Sequence, residues 1–326
     1  MSIKYGYLIL MLFFAFGCKP NSKPSNTRET TVSVPEFNAD SAYHYTETQV
    51  LFGPRVPNTP PHVECGNYLA NQLRKFGANV TEQEVVLYLY DNTPINAKNI
   101  IGSFEPGKKS RILLFAHWDT RPFADHDPDP ANHYKAIDGA NDGAGSCGVL
   151  LEIARQISIQ QPTMGIDIIF FDAEDWGAPA FDKTQRQESG YCLGSSYWAR
   201  NPHVINYTAR YGILLDMVGG HGAQFYKEAF SMYYASHIVQ KVWDAAQTIG
   251  YSSYFKNEEI GGIDDDHVHV MEHRKIPCID IIQYDPNSEK GFAPYWHTMD
   301  DNMDNISKET LKAVGQTVLH VVYNEK

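Results

Sequence analysis

Two rhythms of apolar residues run along this chain. Mostly apolar runs of strand length lie at 112–116, 166–171, 211–215 and 276–282, the last interrupted by Asp280. Runs of this kind predict strands buried on both faces, as in a parallel sheet. Between them apolar residues recur three or four apart. Val63, Tyr68, Leu69, Leu73 and Phe76 predict a helix over 62–76 with Gly77 capping its end. Val149, Leu150, Ile153, Ala154 and Ile157 predict another that starts just after Gly145. Further helices are expected at 41–51, at 232–249 and at 307–323, the last with Ser307 as N-cap. Residues 80–90 read as a strand, 99–104 as a segment that pairs with its neighbours, and 53–61, with four prolines, as a loop of fixed shape. Strands alternating with helices place the chain in the α/β class, as a single domain around a central, mixed but mostly parallel sheet flanked by helices.

Composition narrows this only a little. The 326 residues, 43% hydrophobic and 13% aromatic, suffice for a large core. A net charge of -12 argues against nucleic acid or an anionic membrane surface as partner. Residues 1–18 have the layout of a signal peptide, with Lys4, an apolar run and Ala15-Phe16-Gly17-Cys18, which is similar to a bacterial lipobox. Residues 19–37 read as a flexible linker and 38–326 as the folded domain. The expected location is outside the cytoplasm, as a periplasmic or outer-membrane lipoprotein of a bacterium, with membrane contact only through a lipid on Cys18. Of the other cysteines, Cys65, Cys147, Cys192 and Cys278, none has the spacing of a zinc–cysteine site, and Cys147 and Cys278 read as buried thiols.

The chemistry gathers at strand ends. The run 112–116 stops at His117-Trp118-Asp119, the run 166–171 at Asp172-Ala173-Glu174-Asp175-Trp176, and the run 211–215 at Asp216. The carboxyl ends of strands are where open α/β sheets bind ligands. Adjacent Glu174 and Asp175 repel each other unless one holds a metal or a proton. With Asp142 from a loop-to-helix junction and His297 from the loop 294–302, the set is two histidines and three aspartates, which suits zinc. Glu174 is then left as a base beside the metal. Asp264-Asp265-Asp266-His267 reads as an acidic loop, and Asp125, His126, Asp127 and Asp129 as a rim loop without calcium-site spacing.

In Ala116-His117-Trp118-Asp119, Asn141-Asp142-Gly143-Ala144, Phe170 to Asp175, Leu214-Leu215-Asp216, Asp265-Asp266-His267 and Trp296-His297-Thr298-Met299-Asp300-Asp301-Asn302, the chain resembles the zinc-dependent glutaminyl cyclases of the animal type, a family with bacterial members. The resemblance implies a zinc aminopeptidase-like fold across 38–326. It implies one Zn2+ on Asp142, Asp175 and His297, with Glu174, Asp216 and Asp265 as the catalytic group. Trp296 is expected to line the substrate pocket, Trp176 to be either a second wall or core, and His117 to serve a second metal or a structural role. The animal pattern has Glu where this chain has Asp175, and a Cys at Ala116 that would pair with Cys147, so that disulfide is not expected. The implied activity is that of an acyltransferase converting N-terminal Gln of peptides or proteins to pyroglutamate with loss of ammonia. The rivals are a zinc aminopeptidase of the same superfamily and a catalytically inactive binding domain.

Overall fold

Residues 1–2, 6, 33–185 and 190–326 are described in the computed structural model. Met1–Val32 forms one unit and Ser33–Lys326 the other, and the second carries the fold. The expected lipobox, Cys18, and nearly all of the linker lie outside the described residues.

Helices α1 (Ala39–Leu51) and α2 (Pro60–Lys75) precede strands β1 (Asn79–Tyr88), β2 (Pro94–Phe104) and β3 (Arg111–His117). A π-helical turn, Ala140–Gly145, opens α3 (Ser146–Ile159), followed by β4 (Gly165–Phe171), α4 (Leu193–Arg200) and β5 (Gly212–Asp216). Then come β6 (Phe225–Lys227), α5 (Ala229–Thr248), β7 (Phe255–Glu259), α6 (Asp266–Arg274), β8 (Cys278–Ile282) and α7 (Lys308–Asn324). Six strands form one sheet in the order β1-β2-β4-β3-β5-β8, and β6 pairs with β7 apart from it. β1 with β2 and β2 with β4 run antiparallel, whereas β4, β3, β5 and β8 run parallel to one another. The sheet is thus mixed and mostly parallel, as the sequence predicts.

Every residue of β3, β4, β5 and β8 is buried, which is why these strands read as unbroken apolar runs. Alternate residues serve opposite faces. Ile112, Leu114, Ile168, Phe170, Ile213, Leu215 and Ile279 join one core with side chains of α2, α3, α5 and α7. Leu113, Phe115, Ile169, Phe171, Leu214 and Cys278 join a second with Trp198 of α4 and Val270 of α6. Cys65, Cys147, Cys192 and Cys278 are all buried and free. No helix among the described residues is long and apolar enough to cross a membrane.

The structure adds α4, α6 and the small β6–β7 pair to what the sequence predicts. The acidic stretch at 264–267 is not simply a loop, because Asp265 caps the N-terminus of α6, accepting a hydrogen bond from the Asp266 amide. Helix α4 goes unseen in the sequence because Gly194-Ser195-Ser196 leave its first turn little apolar periodicity. Gly194 stands there because a Cβ would lie 2.1 Å from the Asp172 carbonyl oxygen.

One buried ion pair locks the start of the parallel sheet. Arg111 of β3 grips Asp167 of β4 with two hydrogen bonds, Nε at 2.6 Å and Nη2 at 2.7 Å, and also donates to the carbonyls of Phe104 and Ile166. Tyr207 donates to the same carboxylate at 2.7 Å. Removing Asp167 would strand a buried guanidinium, so Asp167→Ala is expected to destabilise the fold by about 3–5 kcal/mol in denaturant titration.

Candidate active site

The parallel strands β3, β4 and β5 end side by side, so the segments beyond them converge. His117 Nε2 lies 3.0 Å from Asp142 Oδ1 and 3.2 Å from Asp216 Oδ1. His297 Nε2 lies 3.2 Å from Asp175 Oδ1 and 3.6 Å from Asp142 Oδ2. Asp142 therefore faces one histidine with each oxygen. Two donor triples result, Asp142–Asp175–His297 and His117–Asp142–Asp216, each with its atoms within 4.8 Å of one another. All five residues are buried. Both ring nitrogens of His117, Asp175 Oδ2 and Asp216 Oδ1 lack hydrogen-bond partners, an expensive condition that a bound divalent cation would relieve. Nitrogen and carboxylate donors of this kind fit zinc.

Two further aspartates clamp the backbone under these groups. Asp119, two residues beyond His117, accepts from the amides of Glu174 at 3.0 Å and Asp175 at 3.2 Å. Asp301, four beyond His297, accepts from the amides of Asn141 at 2.8 Å and Asp142 at 3.2 Å. Each histidine-bearing motif thus carries the carboxylate that fixes an acidic one. Asp125 approaches His297 Nδ1 at 3.5 Å while held by Arg121. Despite its burial, Arg121 and His297 keep its carboxyl far below the usual range, so it stays an anion that orients the ring. Asp172 points elsewhere and accepts from the Lys98 amide at 2.6 Å, with His62 at 2.8 Å.

Local backbone geometry matches this crowding. Ala173, Met217 and His297 adopt left-handed conformations, at φ 54, 49 and 55, where the chain turns sharply beside site residues. Such positions cost of order 1–3 kcal/mol each and persist only where the surroundings enforce them. At Gly143 a Cβ would lie 2.5 Å from the His117 carbonyl oxygen, so only glycine allows the Asp142 turn to come this close.

A cavity of about 290 Å³ opens over these groups, lined by Asp142, Glu174, Asp175, Asp216 and His297 and walled by Tyr191, Ile263, Phe292 and Trp296. Trp296 stacks on His297, with centroids 3.7 Å apart. Trp176 is not in this lining. It packs among Leu87, Leu89, Tyr90 and Leu193, beside the β1–β2 hairpin. Tyr191 and Phe292 carry no sequence signal, being single aromatics in loops. Neither does Cys192, whose thiol donates to Glu174 Oε1 at 3.1 Å and whose amide donates to the Glu174 carbonyl at 2.9 Å. Asp265 completes a group with Glu174 and Cys192 within 4.8 Å.

Burial drives most carboxyls of this site toward protonation, although His117 holds Asp142 below its usual range despite its burial. The Glu174 carboxyl is pushed well above its ordinary range by burial, with His117 opposing and the charges of Asp265, Asp175 and Asp266 reinforcing. Burial likewise lifts Asp216 to about 6, Asp265 to about 7 and Asp266 to about 8.

Residues 99–322 match Peptidase family M28, more than half of the chain, and the chain belongs to that family. It is 59% identical, at a TM-score of 0.89, to the structure of a Zn-dependent exopeptidase from Parabacteroides distasonis, covering 90% of this chain and 100% of that one. It is 58% identical, at a TM-score of 0.88 and with the same coverage, to a Bacteroides thetaiotaomicron glutaminyl cyclase bound to N-acetylhistamine. A curated relative, the glutaminyl-peptide cyclotransferase of Bos taurus, is 27% identical over 316 residues, spanning 85% of this chain and 80% of that protein.

The raised carboxyls make metal-free stability depend on pH. Their folded values exceed the unfolded ones, so the folded state binds more protons, and stability present near pH 4 drains away as pH climbs through about 6 to 8. Thermal unfolding of chelated protein should lose roughly 3 kcal/mol or more across that span, and zinc should remove most of the loss. A chelated protein equally stable at both ends would contradict these environments.

Proposed function

We propose that this chain is a zinc-dependent glutaminyl-peptide cyclotransferase, closing N-terminal Gln of peptides or proteins to pyroglutamate with release of ammonia. What carries the reading is a partly buried carboxylate, Glu174, beside a zinc-fitting donor set in a small aromatic-walled cavity, in a chain so similar to a glutaminyl cyclase.

Asp142, Asp175 and His297 would hold one zinc, and Asp175 does so with one methylene less than the glutamate of the animal pattern. A zinc ion so held supplies Lewis-acid polarisation of the γ-amide oxygen. Glu174 takes a proton from the α-amine as it attacks the amide carbon and returns it to the departing nitrogen, acting as base and then acid. A raised proton affinity suits both halves of that task. Asp216 and Asp265 share the proton traffic beside Glu174, and Cys192 orients its carboxyl with a weak donor. Trp296, Phe292 and Tyr191 confine the folded-back side chain, which lowers the entropy cost of ring closure.

The aminopeptidase reading is favoured by one observation, the second donor triple His117–Asp142–Asp216. In the cyclase reading His117 is structural, its ring held between Asp142 and Asp216. An inactive binding domain would have no use for Glu174 beside an intact donor set. The expected leader and Cys18 support a location outside the cytoplasm on a lipid anchor, within reach of exported substrates.

With a Gln-initiated peptide the enzyme should release ammonia, with a Leu-initiated peptide no free Leu, and chelation should abolish turnover. Glu174→Gln should lower kcat by about 10²–10⁴-fold with zinc still bound. Undiminished cyclisation by that variant would remove Glu174 from the mechanism.

A further inference from the structure

We propose that Asp264 gives the cavity a preference by charge, favouring substrates with Lys or Arg directly after the N-terminal Gln over those with an acid there. The inference rests on the cyclase reading and concerns which peptides that site takes.

Asp142, Asp175, Asp216 and Asp265 line the cavity with relative exposures of 2–8%. Asp264 shares the lining, yet its side chain is 67% exposed. It stands at the mouth, where the others form the floor. The floor carboxylates face the donor set and Glu174, whereas Asp264 faces solvent and whatever enters.

Its backbone is pinned on both sides. The Ile263 amide donates to Glu228 Oε1 at 2.9 Å, and Asp265 caps α6, its carbonyl accepting from the Val268 amide at 2.9 Å. Glu228 is itself fixed by the amides of Phe230 and Ser231, both at 2.7 Å, and by contact with His267. A short, well-held loop therefore presents one carboxylate at a set place on the rim.

Nothing among the described residues cancels that charge. Its ionic neighbour is His269, 3.9 Å away, and burial pushes that imidazole toward its neutral form. Lys290 lies over the Trp296 ring at 5.9 Å with its ammonium against His126, and it is not part of the lining.

An N-terminal Gln folded onto its own amine fills the inner space beside Glu174, so the peptide must leave through the mouth. The side chain after Gln is then the first to meet Asp264. A solvent-exposed pair of opposite charges there is worth about two- to five-fold in kcat/KM and is weakened by salt.

The test compares kcat/KM for otherwise identical peptides beginning Gln-Lys, Gln-Ala and Gln-Glu, at low and high salt, with the wild type, Asp264→Asn and Asp264→Lys. The expected result is Lys over Ala over Glu, by about two- to five-fold per step at low salt. High salt and Asp264→Asn should each level the series, and Asp264→Lys should reverse it. Equal rates with wild type, or an unchanged preference in Asp264→Asn, would overturn the proposal while leaving the cyclase reading intact. Cyclisation of none of the three peptides would overturn both.

Discussion

Like charges brought together out of water form the constraint on which this structure turns. Asp142, Asp175, Asp216 and Asp265 are buried around one cavity, with Glu174 among them. Left alone, such groups take up protons or fly apart. A divalent cation held by Asp142, Asp175 and His297 would relieve the repulsion most directly, and it would separate the roles of Glu174 and Asp175, neighbours in sequence. The metal would neutralise one carboxylate and leave the other with a raised proton affinity.

The fold supplies the rigidity that this crowding needs. Parallel β3, β4 and β5 deliver His117, Glu174 with Asp175, and Asp216 at adjacent strand ends. Asp119 and Asp301 then tie the backbone of Glu174–Asp175 and of Asn141–Asp142 to the two histidine motifs. Because each clamp joins two motifs, Asp142 and Asp175 cannot shift without loosening the hold of a histidine motif. The left-handed backbone at Ala173, Met217 and His297 persists within the same lattice of hydrogen bonds.

Much of this is legible in the sequence because full burial on two sheet faces leaves unbroken apolar runs, and β3, β4, β5 and β8 are buried throughout. The acids and histidines that end those runs stand out for the same reason. The features that escape depend on three-dimensional context. Asp119 and Asp301 sit inside the motifs, yet their work is on distant amides. Asp265 reads as part of an acidic loop but is a helix cap. Trp176 suggests a cavity wall by its nearness to Asp175, but it packs beside the β1–β2 hairpin, and Tyr191 and Phe292 line the space instead.

Size and chemistry of the cavity join these threads. Aromatic walls and a volume of about 290 Å³ suit a compact, folded-back side chain, and Glu174 faces it from beside the donor set. For a cyclase with one zinc, the second donor triple, His117–Asp142–Asp216, stays a metal-free structural cluster. Elemental analysis of the purified, active protein tests this most directly. One zinc per chain is expected, whereas two zincs per chain, or full activity with none, would contradict a single-metal cyclase.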